Sequence, residues 1–141
     1  MQIKIILCVL LSIFAYGKQN FGNLIIDEIV SVYDGDTFKI NINSNPDVIG
    51  KNIPIRINGI DTPEIRTKCN EEKKLGYKAK EFTSSILNNA KAIELKNIKR
   101  GKYFRIVADV YVDGKSLSEL LIKNNLAVPY NGGTKLKYWC K

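Results

Sequence analysis

Two four-residue segments, Asp34-Gly35-Asp36-Thr37 and Asp61-Thr62-Pro63-Glu64, place acids at the ends of strand-like runs. Their carboxylates and backbone oxygens make a donor set for a hard cation, since calcium and magnesium take oxygen ligands. The chain contains no histidine, so acid–base or metal chemistry has to run on carboxylates, hydroxyls and oxygen coordination. Arg56 and Arg105 each lie in an alternating apolar stretch. A guanidinium offers a planar fork that matches two phosphate oxygens and stays charged near neutral pH. These acids and arginines, in a 141-residue chain of net charge +8, point to phosphodiester chemistry assisted by a hard metal ion. Plainer readings exist for each feature. The first segment is also an ordinary hairpin turn in which aspartate and glycine tolerate positive φ. The second is also a strand-ending turn stiffened by Pro63, and the arginines are also surface charges on half-exposed strands. Tyr103 and Tyr130 have the chemistry to stack on bases or to close the edge of a core.

Those residues have to be positioned by the surrounding elements. Residues 23–32 are rich in β-branched side chains and read as a strand. After the Asp34–Asp36 turn, residues 37–42 alternate polar and apolar, completing a hairpin signal. Residues 43–52 have loop composition. Residues 53–60 alternate again, with Ile53, Ile55 and Ile57 on one face and Arg56 and Asn58 on the other. Helical spacing of Leu75, Ala79, Phe82, Ile86 and Leu87 predicts a helix over 71–89. Strands are expected at 92–98 and 105–112, then a turn at Asp113-Gly114. Ser116 and Glu119 have capping-box spacing and open a short helix through about residue 124. The tail from Asn131 is irregular. Three strands, a helix, two strands and a helix suggest an α+β fold: a five-stranded Greek-key β-barrel of the OB type with two or more helices.

Residues 1–17 read as a signal peptide or N-terminal anchor. Lys4 precedes the apolar run Ile5–Tyr16, and Ala15-Tyr16-Gly17 supplies small residues before a cut at Lys18. That run is short for a membrane span. Cleavage removes one lysine and no acid, leaving residues 18–141 at +7. It also removes Cys8, so that Cys69 and Cys140 remain as an even pair in an exported chain and are expected to form a disulfide, the alternative being two free thiols.

The combination of DGDT on a first hairpin, Arg56 separated by four residues from Asp61-Thr62-Pro63-Glu64, and Lys102-Tyr103 before Arg105 resembles the staphylococcal nuclease (thermonuclease) family from about Val30 to Tyr130. The resemblance implies an OB barrel with helices and a calcium-dependent nuclease acting on DNA and RNA. It matches Asp36 and Asp61 to calcium-binding carboxylates and Thr62 to a backbone-carbonyl ligand. It matches Glu64 to the proposed general base, Arg56 and Arg105 to the arginines that grip the scissile phosphate, and Asp34 to a nearby supporting acid. Phe104 departs from the pattern, being bulky where the founding enzyme has a small residue. The loop around Tyr130 differs as well. A secreted or periplasmic monomer is expected. The alternatives are a catalytically weak nucleic-acid-binding OB module and an envelope-anchored protein whose basic face meets anionic lipid.

Overall fold

Apolar alternation builds one large sheet. In the computed structural model, which describes residues 20–135 and 139–140, the chain forms nine strands and three helices in those segments. The expected signal segment lies outside the described residues. The strands are β1 (Leu24–Ile25), β2 (Glu28–Val32), β3 (Thr37–Asn41), β4 (Ile53–Ile57), β5 (Ile60–Asp61), β6 (Ile93–Arg100), β7 (Ile106–Val112), β8 (Lys115–Ser116) and β9 (Val128–Pro129). The helices are α1 (Asp47–Gly50), α2 (Asn70–Asn88) and α3 (Leu117–Lys123). The main sheet runs β1-β6-β7-β4-β3-β2, with β8 on β7, and β5 pairs separately with β9. Every pairing is antiparallel except β4 with β7, where Arg56 faces Val107 in the register. The mixed sheet curls into a half-barrel, and the α+β fold of OB type is as the sequence predicts.

The differences from the expected elements have local causes. The strand expected over 23–32 divides, because β1 pairs with β6 while β2 pairs with β3. The expected loop at 43–52 contains the single helical turn α1, entered through Pro46. The strand expected over 53–60 stops at Ile57, and Gly59, at φ 80°, turns the chain into β5. Asp113 and Gly114 form the expected turn with φ of 49° and 79°, joining paired strands β7 and β8.

Phe38, Ile40, Ile55, Ile57, Leu95 and Val110 turn inward from the strands and are almost completely buried. Leu117 and Leu121 of α3 and Ala79, Thr83 and Leu87 of α2 close over them. Full burial of a leucine or isoleucine side chain contributes roughly 1.5–3 kcal/mol each. Ser116 caps α3 by accepting from the Glu119 N–H at 3.4 Å, as its spacing predicts. No helix among the described residues is long and apolar enough to cross a membrane.

Cys69 and Cys140 form a disulfide across 71 residues of sequence. The bridge fastens the end of the chain to the first turn of α2, where Cys69 is also the N-cap residue. Closing a loop of this length contributes on the order of 4 kcal/mol by restricting the unfolded chain. Cys140→Ser leaves that cap in place and is expected to lower the urea midpoint accordingly. Intact mass with and without reductant verifies the bridge in the purified protein.

Candidate active site

The turn between β2 and β3 is built around a short side chain and a missing one. Asp34 accepts the Asp36 N–H at 3.1 Å, folding the turn on itself. Thr83 of α2 donates its hydroxyl to the Gly35 carbonyl at 2.7 Å and ties the turn to the helix. Glycine stands at position 35 for want of space, and not for the positive φ that the sequence suggests. Its φ is outside the left-handed region, and a Cβ there would lie 2.7 Å from Ala79 Cβ and 2.9 Å from Thr62 Cγ2. An added methyl would push the turn off the helix, at a typical overpacking cost of about 1–3 kcal/mol.

This turn delivers Asp36 to a nearly sealed position, 1% exposed. Both of its carboxylate oxygens are occupied. Oδ1 accepts from Thr37 Oγ1 at 3.0 Å and from Arg56 Nη1, and Oδ2 accepts from the Thr62 N–H at 3.2 Å and Thr62 Oγ1 at 3.0 Å. Arg56 reaches Asp36 because Thr37 and Arg56 are register partners on β3 and β4. The second arm of its fork, Nη2, donates to the Ile60 carbonyl at 3.2 Å and lies 3.5 Å from Asp61 Oδ1. One guanidinium therefore links the DGDT and DTPE segments. Burial pushes the Asp36 carboxyl up to about 7, and the nearby Asp34 adds to this, while Arg56 opposes them without prevailing.

Asp61 is also buried, and beside it stands a residue the sequence did not flag. Lys135 Nζ lies 3.1 Å from Asp61 Oδ1 and 2.8 Å from Glu64 Oε1, spanning both carboxylates. Burial pulls the Lys135 ammonium down, but hydrogen bonds to Glu64 and Asp61 and their charges outweigh it, so its pKa is raised. Glu64 is half exposed. Its backbone N–H donates to Glu72 Oε1 at 3.1 Å, and Glu72 Oε2 accepts from Thr67 Oγ1 at 3.0 Å. Glu72 thus fixes the loop that carries Glu64. Its three-residue spacing from Cys69 is only a weak signal, because cysteine is not the serine or threonine of a capping box. Lys135, in the irregular tail, had none.

Asp34, Asp36, Arg56, Asp61, Thr62 and Glu64 are thereby brought to one place. Arg56 also lines a cleft of about 730 Å³ with Asn58, Lys99, Arg100 and Tyr130. Asp61 and Lys135 line an adjoining one of about 670 Å³ that shares Asn58, Lys99 and Tyr130. Tyr130 thus stands where both clefts meet, its hydroxyl donating to the Gly133 carbonyl at 2.7 Å. Arg105 and Tyr103 do not line these two clefts. Arg105 lines a neighbouring cavity with Pro54 and Phe104, and its Nε is buried with no hydrogen-bond partner among the described residues. Tyr103 is 93% exposed at the tip of the β6–β7 hairpin.

Oxygen donors alone make up the acidic cluster, which suits a hard cation. Among the described residues, the trio of candidate ligands drawn within 4.8 Å of one another is Cys69, Glu71 and Cys140, whose sulfurs are committed to the disulfide. In the acidic cluster Arg56 and Lys135 stand among the carboxylates and supply the positive charge.

Residues 54–137 match the family model described as staphylococcal nuclease homologue. The SPbeta prophage-derived endonuclease YokF of Bacillus subtilis is 38% identical over 96 residues, covering 67% of this chain and 30% of that protein. Endonuclease YncB of the same organism is 36% identical over 113 residues, 79% of this chain and 49% of the relative. Thermonuclease of Staphylococcus hyicus is 31% identical over 101 residues, 71% and 56% respectively. The chain thus spans between about a third and just over half the length of these relatives.

The raised Asp36 pKa has a definite sign. The folded state holds this proton up to about 7, whereas the ordinary carboxyl releases it near 3.8. Asp36 therefore contributes stability below about pH 3.8 that is lost as pH rises through about 7. In chelator, the urea midpoint of the wild type should fall relative to Asp36→Asn across that interval. Parallel pH profiles for the two proteins would show that burial does not hold the proton.

Proposed function

The chain belongs to the staphylococcal nuclease family, and from that premise we propose that it is an exported, calcium-dependent nuclease hydrolysing phosphodiester bonds of DNA and RNA. The observation that carries this reading is the convergence of Asp36, Arg56, Asp61 and Glu64 beside a cleft lined by Lys99 and Arg100. Buried carboxylates, one of them raised in pKa despite an adjacent arginine, make a site that an added cation stabilises. Asp36 and Asp61 would hold calcium with the Thr62 carbonyl. When bound, the ion polarises a phosphate oxygen and lowers the pKa of water.

The remaining work falls to this chain's side chains. Glu64, half exposed beside Asp61 and Lys135, accepts the proton of the attacking water. Water oxygen bonds to phosphorus as the bond to the 5′ oxygen breaks, leaving a 3′-phosphate, and the 5′ oxygen is reprotonated from solvent. Arg56 offers a phosphate oxygen the N–H groups that Asp36 and Ile60 leave free, and balances the charge that develops. Arg105 is assigned the second phosphate contact. It directly precedes β7, two residues before Val107, the register partner of Arg56, and this proximity supports the assignment. Glu72 positions the Glu64 loop, and Tyr130 borders the path of the strand. Export accords with the disulfide, which persists in an oxidising compartment such as the periplasm or the exterior.

Plasmid cleavage should require calcium and stop in excess chelator. Glu64→Gln is expected to lower turnover by roughly 10²-fold or more while retaining calcium binding, as general-base catalysis requires. Collapse of calcium affinity with normal saturated turnover would instead make Glu64 a ligand. Lys135→Met removes the ammonium that competes for Asp61 and Glu64, so calcium affinity by titration calorimetry should increase. Binding of nucleic acid without cleavage, with calcium present, would favour a binding module.

A further inference from the structure

The β6–β7 hairpin ends in a locally unfavourable turn. Gly101 N–H donates to the Arg105 carbonyl at 2.7 Å, and Arg105 N–H donates to the Lys102 carbonyl at 3.2 Å. Between Lys102 and Arg105 lie Tyr103 and Phe104, with φ of 56° and 61°. A turn with two central residues at positive φ favours Asn-Gly, and bulky aromatic residues are strained there. The same residues are 93% and 79% exposed, so burial in the described chain does not offset the strain. Backbone strain of this kind collects where a ligand is engaged.

Phe104 borders a cavity of about 350 Å³ whose apolar wall is formed with Phe21, Ile49 and Ile53. Its cations are Lys99, Arg100 and Arg105. The Arg100 guanidinium carbon sits 5.3 Å from the Phe104 ring centroid. Phe21, Lys99 and Arg100 also line the cleft that contains Arg56, so the two spaces are continuous. An apolar floor between aromatic rings, rimmed by cations and leading into the acidic site, has the chemistry of single-stranded nucleic acid: flat bases on a phosphate backbone.

We propose that Phe104 and the Phe21–Ile49 groove form an accessory base-stacking subsite for an unpaired strand, extending the cleft beyond the scissile phosphate. The inference rests on the nuclease reading only for the direction in which the strand continues. An unpaired base stacks on Phe104 while Arg100 and Lys99 hold the phosphates between it and Arg56. Duplex bases are already stacked on one another and cannot enter, so the subsite favours single strands.

Phe104→Gly is a discriminating variant, because glycine is at ease at this φ and the change relieves strain. Ile49→Ser alters the opposite wall independently. Both are tested by fluorescence anisotropy with a labelled single-stranded oligonucleotide and the matching duplex, in chelator, so a protein that cleaves nothing still gives an answer. Single-strand affinity is expected to fall about tenfold in Phe104→Gly, the scale of one lost base–aromatic stack, with thermal stability held or raised. Ile49→Ser should weaken it in the same direction, and duplex affinity should be unchanged in both. Unchanged single-strand affinity in both variants overturns the subsite. So does loss of binding to phosphatidylserine vesicles, with oligonucleotide binding intact, which would make this face a membrane surface.

Discussion

A carboxylate taken out of water has to be met by charge and hydrogen bonds, and Asp36 imposes that condition on everything around it. Thr37 and Thr62 supply hydroxyls, the Thr62 N–H supplies a backbone donor, and Arg56 supplies charge. These groups come from β3, β4 and the segment after β5, so satisfying one side chain fixes the relative placement of three parts of the chain. The turn that carries Asp36 fits against α2 only because Gly35 has no side chain. A sheet, a helix and a turn are thus held in register by the requirements of one buried acid.

The site's positive charge comes in two forms with different freedom. Arg56 is embedded, its fork divided between Asp36 and the Ile60–Asp61 segment. Lys135 is nearly half exposed and reaches the site from the tail, where its ammonium touches Asp61 and Glu64. An embedded planar guanidinium is preorganised for phosphate oxygens, whereas a solvent-facing ammonium gives way at small cost. The disulfide keeps the tail near α2, and Glu72 at the start of that helix keeps the Glu64 loop in reach. Structural restraint and chemistry therefore meet at the first turn of α2.

The hairpin tip follows a different logic. The acidic site is buried and its hydrogen bonds are made, whereas the tip is exposed and strained. Lys99 and Arg100 join these regions, bordering both the cleft at Arg56 and the groove at Phe104. A polyanion drawn to this ridge meets a rigid site on one side and an aromatic surface on the other.

Much of this was legible in the sequence because it depends on local rules. Two-residue alternation identified the faces of β3 and β4, helical spacing identified α2, and Ser116 with Glu119 marked the start of α3. The acids and arginines stood out by type and spacing, and the two cysteines left once an N-terminal leader was expected to be cleaved suggested their bridge. Tertiary structure alone decided the rest, since it depends on distances between segments far apart in the chain. Division of the first strand follows from its two halves having different partners. The role of Gly35 comes from the closeness of Ala79 and Thr62, where sequence reasoning pointed to φ. Lys135 reaches Asp61 and Glu64 across some seventy residues, an approach no local pattern encodes, and Arg105 lines the groove at Phe104 that adjoins the cleft at Arg56. Side-chain type determined which chemistry the chain can perform; packing determined which of those side chains meet.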